Sequence, residues 1–332
     1  MNRTLLITGG AGFIGSHLIL RLFERYPDYR FVNIDKLTYA SDESYLDPIR
    51  SSGRYTFAKV DLVNKADVTA VFEEHKPDGI IHLAAETHVD NSISGPEVFV
   101  YSNVVGTMNL LELARRTWAA GSANRFHHVS TDEVYGSAAP GSSFREDTPY
   151  SPNSPYSASK AASDHLVRAY HTTYGLNVVV TNCSNNFGPH QHDEKLIPTI
   201  VRNALQGKDI PIYGKGENVR DWLFVKDHCA ALDLVFHKGT AGETYNVGGE
   251  NEWQNLALAK KILGLLDEIH PSSASYLNQI RFVQDRPGHD LRYSVNCAKI
   301  QRELGWEGSA AHFDQALRET LSWYVRKYGG SR

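Results

Sequence analysis

Tyr156 and Lys160 lie four residues apart in PYSASKAASDHL. On a helix that spacing puts both side chains on one face. Ser154 and Pro155 ahead of them supply a helix start. A phenol with its usual pKa of about 10 is a poor base at neutral pH. A neighbouring ammonium stabilises the phenolate and lowers that pKa, so the pair can take a proton from a hydroxyl. Thr131, Asp132 and Glu133 precede it in HHVSTDEVYG. A threonine hydroxyl there can hydrogen-bond the oxygen that Tyr156 works on. Two adjacent carboxyls ask for more than alcohol oxidation. An elimination needs one group to take a C–H proton and another to protonate a departing hydroxyl. Environments that push two carboxyl pKa values apart provide both.

These groups need a redox partner, and the N-terminus offers a place for one. The segment RTLLIT (3–8) reads as a strand and runs into Gly9-Gly10-Ala11-Gly12-Phe13-Ile14-Gly15, followed by a helical pattern. The loop reads as G-x-x-G-x-x-G (9, 12, 15) and as G-x-G-x-x-G (10, 12, 15). Glycines there permit a tight turn, close approach of backbone to a pyrophosphate, and tight helix–strand packing. The helix N-terminus offers free N–H groups to the phosphates. Asp35 ends the second expected strand, 20 residues after Gly15. A carboxylate there takes the adenosine ribose hydroxyls and repels a 2′-phosphate, which favours NAD over NADP; Lys36 weakens that preference. Asp61, after the third strand, suits an adenine contact. An oxidised nicotinamide ring adds positive charge beside Tyr156.

The elements that must position these groups follow from periodicity. Apolar runs at 3–8, 31–34, 55–60, 79–83, 125–129 and 177–181 read as strands. Ile14, Leu18 and Leu22 form one helical stripe between the first two. Val104, Met108 and Leu111 face one way on a helix near 98–117. Unbroken apolar strands alternating with helices predict an α/β fold: a Rossmann-type doubly wound parallel sheet covered on both faces. Ligands bind beyond the carboxyl ends of such strands, so Thr131, Asp132 and Glu133 are expected to face the nicotinamide and Tyr156. After residue 182 the alternation loosens, with helical patterns near 194–206, 226–237, 253–268 and 313–328. Residues 1–182 are read as a NAD-binding domain and 183–332 as mainly a smaller α/β substrate domain. ETYNV (243–247), within a segment near 226–250, is expected to return to the first sheet.

Composition narrows the class without naming it. The 332 residues suit about two domains. With 41% apolar and 22% charged residues the chain can bury a core, which excludes disordered and fibrous classes. A net charge of −4 implies no nucleic-acid surface. Cys183, Cys229 and Cys297 are too far apart and odd in number for a disulfide framework. No apolar run is long enough to cross a membrane. MNRTLLITGG enters a strand at once and leaves no room for a signal peptide, so a cytoplasmic protein is expected. His190, His192 and Asp193 lack a further ligand nearby, so no metal is expected. Cys183, at an apolar strand end, reads as buried and inert rather than nucleophilic. His127-His128 read as sheet-end residues, and Arg115-Arg116 as a solvated helix face.

GGAGFIGS, DKLTYA, LAAETHVDNSI, STDEVYG, PYSASKAASDHL, NCSNNFGPHQHDEKLIP, PIYGKGENVRDWL, YNVGGENE and DRPGHDLRY occur in that order. Together they resemble the extended short-chain dehydrogenase/reductases, and within them the dTDP-glucose 4,6-dehydratases, from residue 3 to about 325. The glycine loop and the Tyr–Lys pair mark the superfamily. Thr-Asp-Glu marks the dehydratases, because related 4-epimerases usually carry other residues at the Asp and Glu positions. The resemblance implies C4 oxidation with Tyr156 taking the O4 proton. Glu133 then removes the C5 proton, Asp132 protonates the departing O6, and C6 is reduced from the same NAD. Thr131 orients the C4 oxygen.

The resemblance also assigns binding residues. For NAD these are Gly9, Gly12, Phe13, Ile14, Gly15, Asp35, Lys36, Leu37, Thr38, Asp61, Leu62, Leu83, Ala84, Ala85, Ser102, Tyr156, Lys160 and Asn186. For the sugar nucleotide they are Thr87, His88, Thr131, Asn185, Lys195, Leu196, Ile197, Pro198, Pro211, Ile212, Tyr213, Arg220, Asn255, Arg286, Pro287, Gly288, His289 and Tyr293. Arg220 and Arg286 suit a pyrophosphate clamp, and Gly214 and Gly216 let the loop after Tyr213 approach a base. Members of the family dimerise through a four-helix bundle, for which the segments near 98–117 and 155–174 are long enough. The rim 137–155 looks shorter than in some relatives, and GENEW (249–253) falls in a variable segment. The alternatives are a UDP- or CDP-hexose dehydratase, a 4-epimerase of the same fold with no use for Asp132 and Glu133, and a non-catalytic dinucleotide sensor with no use for the Tyr–Lys pair either.

Overall fold

The computed structural model describes residues 3–119, 121–285, 288–308 and 310–329. In chain order the strands are β1 (Arg3–Thr8), β2 (Tyr29–Asp35), β3 (Tyr55–Lys59), β4 (Gly79–His82), β5 (Arg125–Thr131), β6 (Val178–Cys183), β7 (Asn185–Phe187), β8 (Ile210–Tyr213), β9 (Val219–Phe224), β10 (Thr244–Val247), β11 (Glu252–Gln254) and β12 (Ile280–Val283). Seven of them form one sheet in the order β10-β6-β5-β4-β1-β2-β3. Every pairing in it is parallel. The central strands β4 and β6 are buried along their whole length, as unbroken apolar runs require when helices cover both faces. The chain leaves β1 toward β2 and β3 on one side, and returns to β4 and beyond on the other. That reversal opens a crevice at the carboxyl ends of β1 and β4. β10, from the second half of the chain, pairs with β6 at Thr244–Val180 through Val247–Cys183, the returning strand expected from ETYNV.

Three local differences from the sequence reading matter to the site. β5 runs to Thr131, beyond the expected end at 129. His127 and His128 therefore sit inside the sheet, fully buried, and not at its end. His127 has its Nε2 3.0 Å from Thr181 Oγ1 on the neighbouring strand. The helix near 98–117 is also interrupted. A π-helical stretch, Val100–Val105, separates Glu97–Phe99 from Gly106–Thr117. An extra residue per turn shifts the helical phase. Leu111 is buried, but Met108 is 39% exposed, so the two do not share one core face.

Beyond residue 183, β7, β9 and β11 form a small sheet, and β8 pairs with β12. The helices Leu196–Leu205, Asn255–Ile269 and Phe313–Tyr328 bury Ile200, Val201, Ile262, Leu266, Leu317 and Leu321 in a core shared with β1 and the Phe13–Arg25 helix. Among the described residues no helix is long and apolar enough to cross a membrane.

Candidate active site

The glycine loop is built by close packing. A Cβ on Gly15 would lie 2.2 Å from Gly9 O and 2.7 Å from Gly10 Cα. Gly9 holds φ +72°, and a Cβ there would strike the Ala84 backbone at 2.8 Å. Gly12, by contrast, is crowded only by Gly9 O at 3.2 Å and faces the crevice. It is the N-cap of the Phe13–Arg25 helix, and no side chain caps that end. Ser16 N–H donates to Gly12 O (3.0 Å), so the N–H groups of Phe13, Ile14 and Gly15 have no helical acceptor and are free for phosphate. A cradle that a Cβ would fill, at the head of a helix dipole, fits a dinucleotide pyrophosphate. Gly15→Ala is expected to force the loop apart. Purified protein should carry little or no cofactor, and thermal unfolding should show a loss of about 1–3 kcal/mol, in the range of overpacking. Full cofactor content in that variant would contradict the loop geometry.

Asp35 does two things. Its Oδ2 accepts from Ala11 N (3.1 Å), and its Oδ1 accepts from Leu37 N (2.8 Å) and Ser41 Oγ (3.1 Å). It thus ties the glycine loop to the turn after β2 while lining the crevice. Lys36 Nζ lies 2.8 Å from Glu86 Oε1 and donates to Ser102 Oγ (3.0 Å). The ammonium is neutralised there, which removes the weakening of the NAD preference expected from it.

The Tyr–Lys pair sits on the Pro155–Tyr174 helix, where Ser154 and Ser157 form a reciprocal cap. Tyr156 and Lys160 are both buried against the crevice, at 7% and 3% exposure. Lys160 Nζ donates to Val129 O (2.9 Å) and lies 3.4 Å from His128 Nε2. The lowering of Tyr156 expected from Lys160 together with an oxidised nicotinamide works against the surroundings of the phenol. Burial pushes the phenol well above its ordinary value, the Glu133 charge pushes the same way, and the hydrogen-bonded Thr131 hydroxyl opposes them.

Thr131 ends β5 and caps the short turn Asp132–Tyr135, its Oγ1 accepting from Glu133 N (3.3 Å). This cap breaks the strand alternation, and Thr131, Asp132 and Glu133 all line the crevice with Tyr156. Asp132 is 2% exposed, and its Oδ2 is buried without a hydrogen-bond partner. Burial first, then Glu133 and Asp221, push its carboxyl well above the usual range. Its surroundings thus favour the protonated form beside a second carboxyl, the arrangement an acid–base pair needs.

These groups share a cavity of about 310 Å³. Every residue expected to hold NAD lines it except Leu37, which is in the turn just outside. Of the sugar-nucleotide set, Thr87, Thr131, Asn185 and Lys195 line it, with Lys195 Nζ donating to Thr87 O (3.0 Å). The remaining described members stand outside that cavity. His88 Nδ1 accepts from Asn91 N (3.2 Å) at a helix start. Leu196, Ile197 and Pro198 open the 196–205 helix, with the Ile197 side chain in the core. On β8 Ile212 is also a core side chain, whereas Pro211 and Tyr213 point outward. Arg220 is 5% exposed and donates to the carbonyls of Val219, Asp290 and Leu291, stacked 4.3 Å from the Tyr293 ring centroid. As placed, its guanidinium serves the fold more than an open phosphate clamp. Asn255 begins the 255–269 helix, Gly288 holds φ +63°, and His289 Nδ1 is 2.6 Å from Asp285 Oδ1. Tyr293 donates to Asp290 Oδ2 (2.6 Å) and feels the Glu133 charge. Arg286 and Pro287 lie outside the described residues. A Cβ on Gly216 would meet Ile212 and Leu256, so that glycine serves the turn itself and not an approach to a base.

Sequence reasoning missed Glu86, Ser130, Ser184, Gln191, His192 and Glu194, which also line the cavity. Glu86 follows β4 and so sits at a strand's carboxyl end, a signal that was available. His190 stacks on Tyr45 (3.9 Å between ring centroids) and on His17 (4.5 Å). Burial raises the Cys183 thiol to about 12, consistent with an inert side chain.

A dinucleotide crevice at the switch point of a parallel sheet, with a Tyr–Lys couple on one helix beneath it, is the architecture of the extended short-chain dehydrogenase/reductases. Comparison with known proteins agrees and goes further. The family model described as GDP-mannose 4,6 dehydratase matches residues 6–320. The dTDP-glucose 4,6-dehydratase of Salmonella typhimurium is 52% identical over 97% of this chain and 92% of its own. The crystal structure of the dTDP-glucose 4,6-dehydratase DesIV from Streptomyces venezuelae, solved with NAD bound, superposes with a TM-score of 0.90 at 45% identity, covering 98% of each chain. The UDP-glucose 4-epimerase of Thermotoga maritima shares the fold (TM-score 0.86, 98% of this chain and 99% of that one) at only 26% identity. The chain belongs to the nucleotide-sugar 4,6-dehydratase family.

Proposed function

We propose that this chain converts dTDP-glucose to dTDP-4-keto-6-deoxyglucose and water, with NAD as a resident cofactor. The observation that carries the reading is Asp132: a buried carboxyl with an unpartnered oxygen, next to Glu133 and lining the same crevice as Tyr156. A 4-epimerase has no use for that pair. The relatives at about half identity act on dTDP-glucose by name, which favours thymidine over the UDP- and CDP-hexose alternatives.

When bound, NAD supplies a two-electron acceptor and donor that takes hydride from C4 and returns it to C6. The residues do the rest. Gly12 and the N–H groups of Phe13, Ile14 and Gly15 hold the pyrophosphate. Asp35 takes the adenosine ribose. Tyr156 removes the O4 proton and Thr131 orients that oxygen. The resulting ketone acidifies the C5 hydrogen, which Glu133 removes. Asp132 protonates O6 as it departs. Residues 183–332 mainly bind the sugar nucleotide, and residues 1–182 the cofactor.

The exposed apolar side chains of Val98, Val100, Tyr101 and Met108, with Tyr174 on the neighbouring helix, support a homodimer formed by a four-helix bundle.

Glucosyl nucleotide deuterated at C4 provides the test. The expected product carries deuterium at C6 and has lost one water. Deuterium returned to an inverted C4 would replace this reading with an epimerase.

A further inference from the structure

The Tyr–Lys mechanism leaves unexplained how Lys160 keeps its charge. Lys160 is 3% exposed, and its Nζ has Val129 O and His128 Nε2 as near neighbours. An ammonium removed from water tends to lose its proton. One helical turn beyond it, on the same face, lies Asp164, which is fully buried. Asp164 Oδ1 is 3.2 Å from His128 Nε2, the nitrogen that also lies 3.4 Å from Lys160 Nζ, so the carboxylate and the ammonium flank one imidazole nitrogen, which can hydrogen-bond only one of them at a time. Asp164 Oδ2 accepts from Ser130 Oγ (2.9 Å) and from Tyr150 OH (2.9 Å). Tyr150 is fixed in turn by Arg168 (2.7 Å) and by Asn182 Nδ2 (3.1 Å).

Resting on the reading above, we infer that Asp164, through its charge, is a positioning residue that keeps the Lys160 ammonium charged in the crevice it shares with Tyr156. Its negative charge is fully sequestered from solvent and touches neither the crevice nor any surface cation directly. A buried carboxylate of this kind is costly unless an opposite charge balances it, and Lys160 is the cation that faces it. The electrostatics are consistent. Burial pulls the Lys160 ammonium below its ordinary value, and Asp164 works against the fall. Burial pulls His128 down to about 4, with Lys160 adding to the effect, so the imidazole is neutral at pH 7 and does not compete for charge.

The other groups around Lys160 do not replace Asp164. His82 on β4 is fully buried, with its ring 5.3 Å from that of His128, and burial drives it neutral. Cys183 on β6 keeps its proton. Tyr156, on the same helix, is the group Lys160 serves. Around Asp164 the remaining ionisable groups are Tyr135 and Tyr150, both held protonated by burial, and Arg168 behind Tyr150.

The test uses the NAD-bound enzyme and Asp164→Asn. Dehydration of dTDP-glucose is first measured in the unaltered enzyme, so failure of the functional reading is seen separately. In the variant, the alkaline limb of the rate profile, where Lys160 loses its proton, is expected to move to lower pH by about 1–3 units, the range for loss of an opposite charge at this distance. ¹⁵N NMR of the lysine Nζ, with the Lys160 signal assigned by its loss in Lys160→Met, should titrate with the same displacement. A variant that is slower at every pH, with both the limb and the Lys160 titration in place, overturns the inference and leaves Asp164 as packing. If Asp164→Asn does not retain cofactor, Asp164→Ser carries the test: it too removes the charge and should move the limb in the same direction. An unmoved limb there overturns the inference equally.

Discussion

Glu133→Gln is expected to oxidise dTDP-glucose at C4 and then stop. The amide keeps the size of the side chain and its hydrogen-bonding reach but cannot accept the C5 proton. The first half of the reaction does not need that proton, so oxidation proceeds and the keto sugar stays in the site. Single-turnover mixing should show the near-ultraviolet absorbance of reduced nicotinamide rise and persist. Steady turnover should fall by about 10²–10⁴, the usual contribution of a positioned acid or base. No solvent deuterium should enter at C5. Asp132→Asn stalls at the same stage for a different reason: C5 can lose its proton, but O6 leaves without one. The two variants therefore differ in C5 exchange, which Asp132→Asn retains. The unaltered enzyme adds a pH signature. Because Asp132 must be protonated to act, elimination slows as pH rises through its elevated pKa, and that limb is absent in Asp132→Asn. Full turnover in Glu133→Gln would remove Glu133 as the base.

The parts of this site that the sequence made legible are local ones. Gly9 to Gly15 are read together because a strand, a turn and a helix start within a dozen residues. Tyr156 and Lys160 are legible because helical spacing alone puts them on one face. What sequence could not settle depends on which strands become neighbours. Glu86 meets Lys36 because β4 and β2 flank β1 in the sheet, so the segments leaving their carboxyl ends meet across it, although 50 residues separate the two side chains. Asp164 is visible in retrospect as the next turn of the Tyr156–Lys160 stripe. It and Lys160 flank His128, which the sequence placed at the sheet end. The strand continues past His128 to Thr131, and this extension brings the imidazole under Lys160.

The later substrate residues read differently. Arg220 and Ile212 fit a binding role as letters in a motif; in the fold the guanidinium of Arg220 is held by backbone carbonyls while its charge acts on Asp132, and Ile212 faces the core. A motif reports that a segment is needed. It does not report whether the side chain or the backbone does the work. Similarly, the 98–117 helix is broken by a π-helical stretch that no periodicity of period 3.6 can reveal, so its apolar face divides between core and exterior.

Tyr156→Phe should abolish the first step rather than the second. Phenylalanine fills the same space beside Phe99, whose ring centroid is 6.3 Å away, so the fold and cofactor content should hold. Without the hydroxyl, O4 has no base, and C4 oxidation should fall by about 10²–10⁴. In contrast to Glu133→Gln, no reduced cofactor accumulates, and rapid mixing shows no burst of near-ultraviolet absorbance. The pH dependence then separates Tyr156 from its surroundings. As a base it works only when ionised, so the oxidation rate of the unaltered enzyme should rise with pH along an acid limb. Burial and the Glu133 charge both push Tyr156 upward, which displaces that limb toward alkaline pH. Neutralising Glu133 removes one of those two influences. In Glu133→Gln the acid limb of C4 oxidation should therefore move to lower pH by about one unit, the scale of a neighbouring like charge. The same substitution that blocks elimination thus makes oxidation easier near neutrality. A limb that stays in place in Glu133→Gln, or persists in Tyr156→Phe, would assign it to a different group and detach Tyr156 from O4.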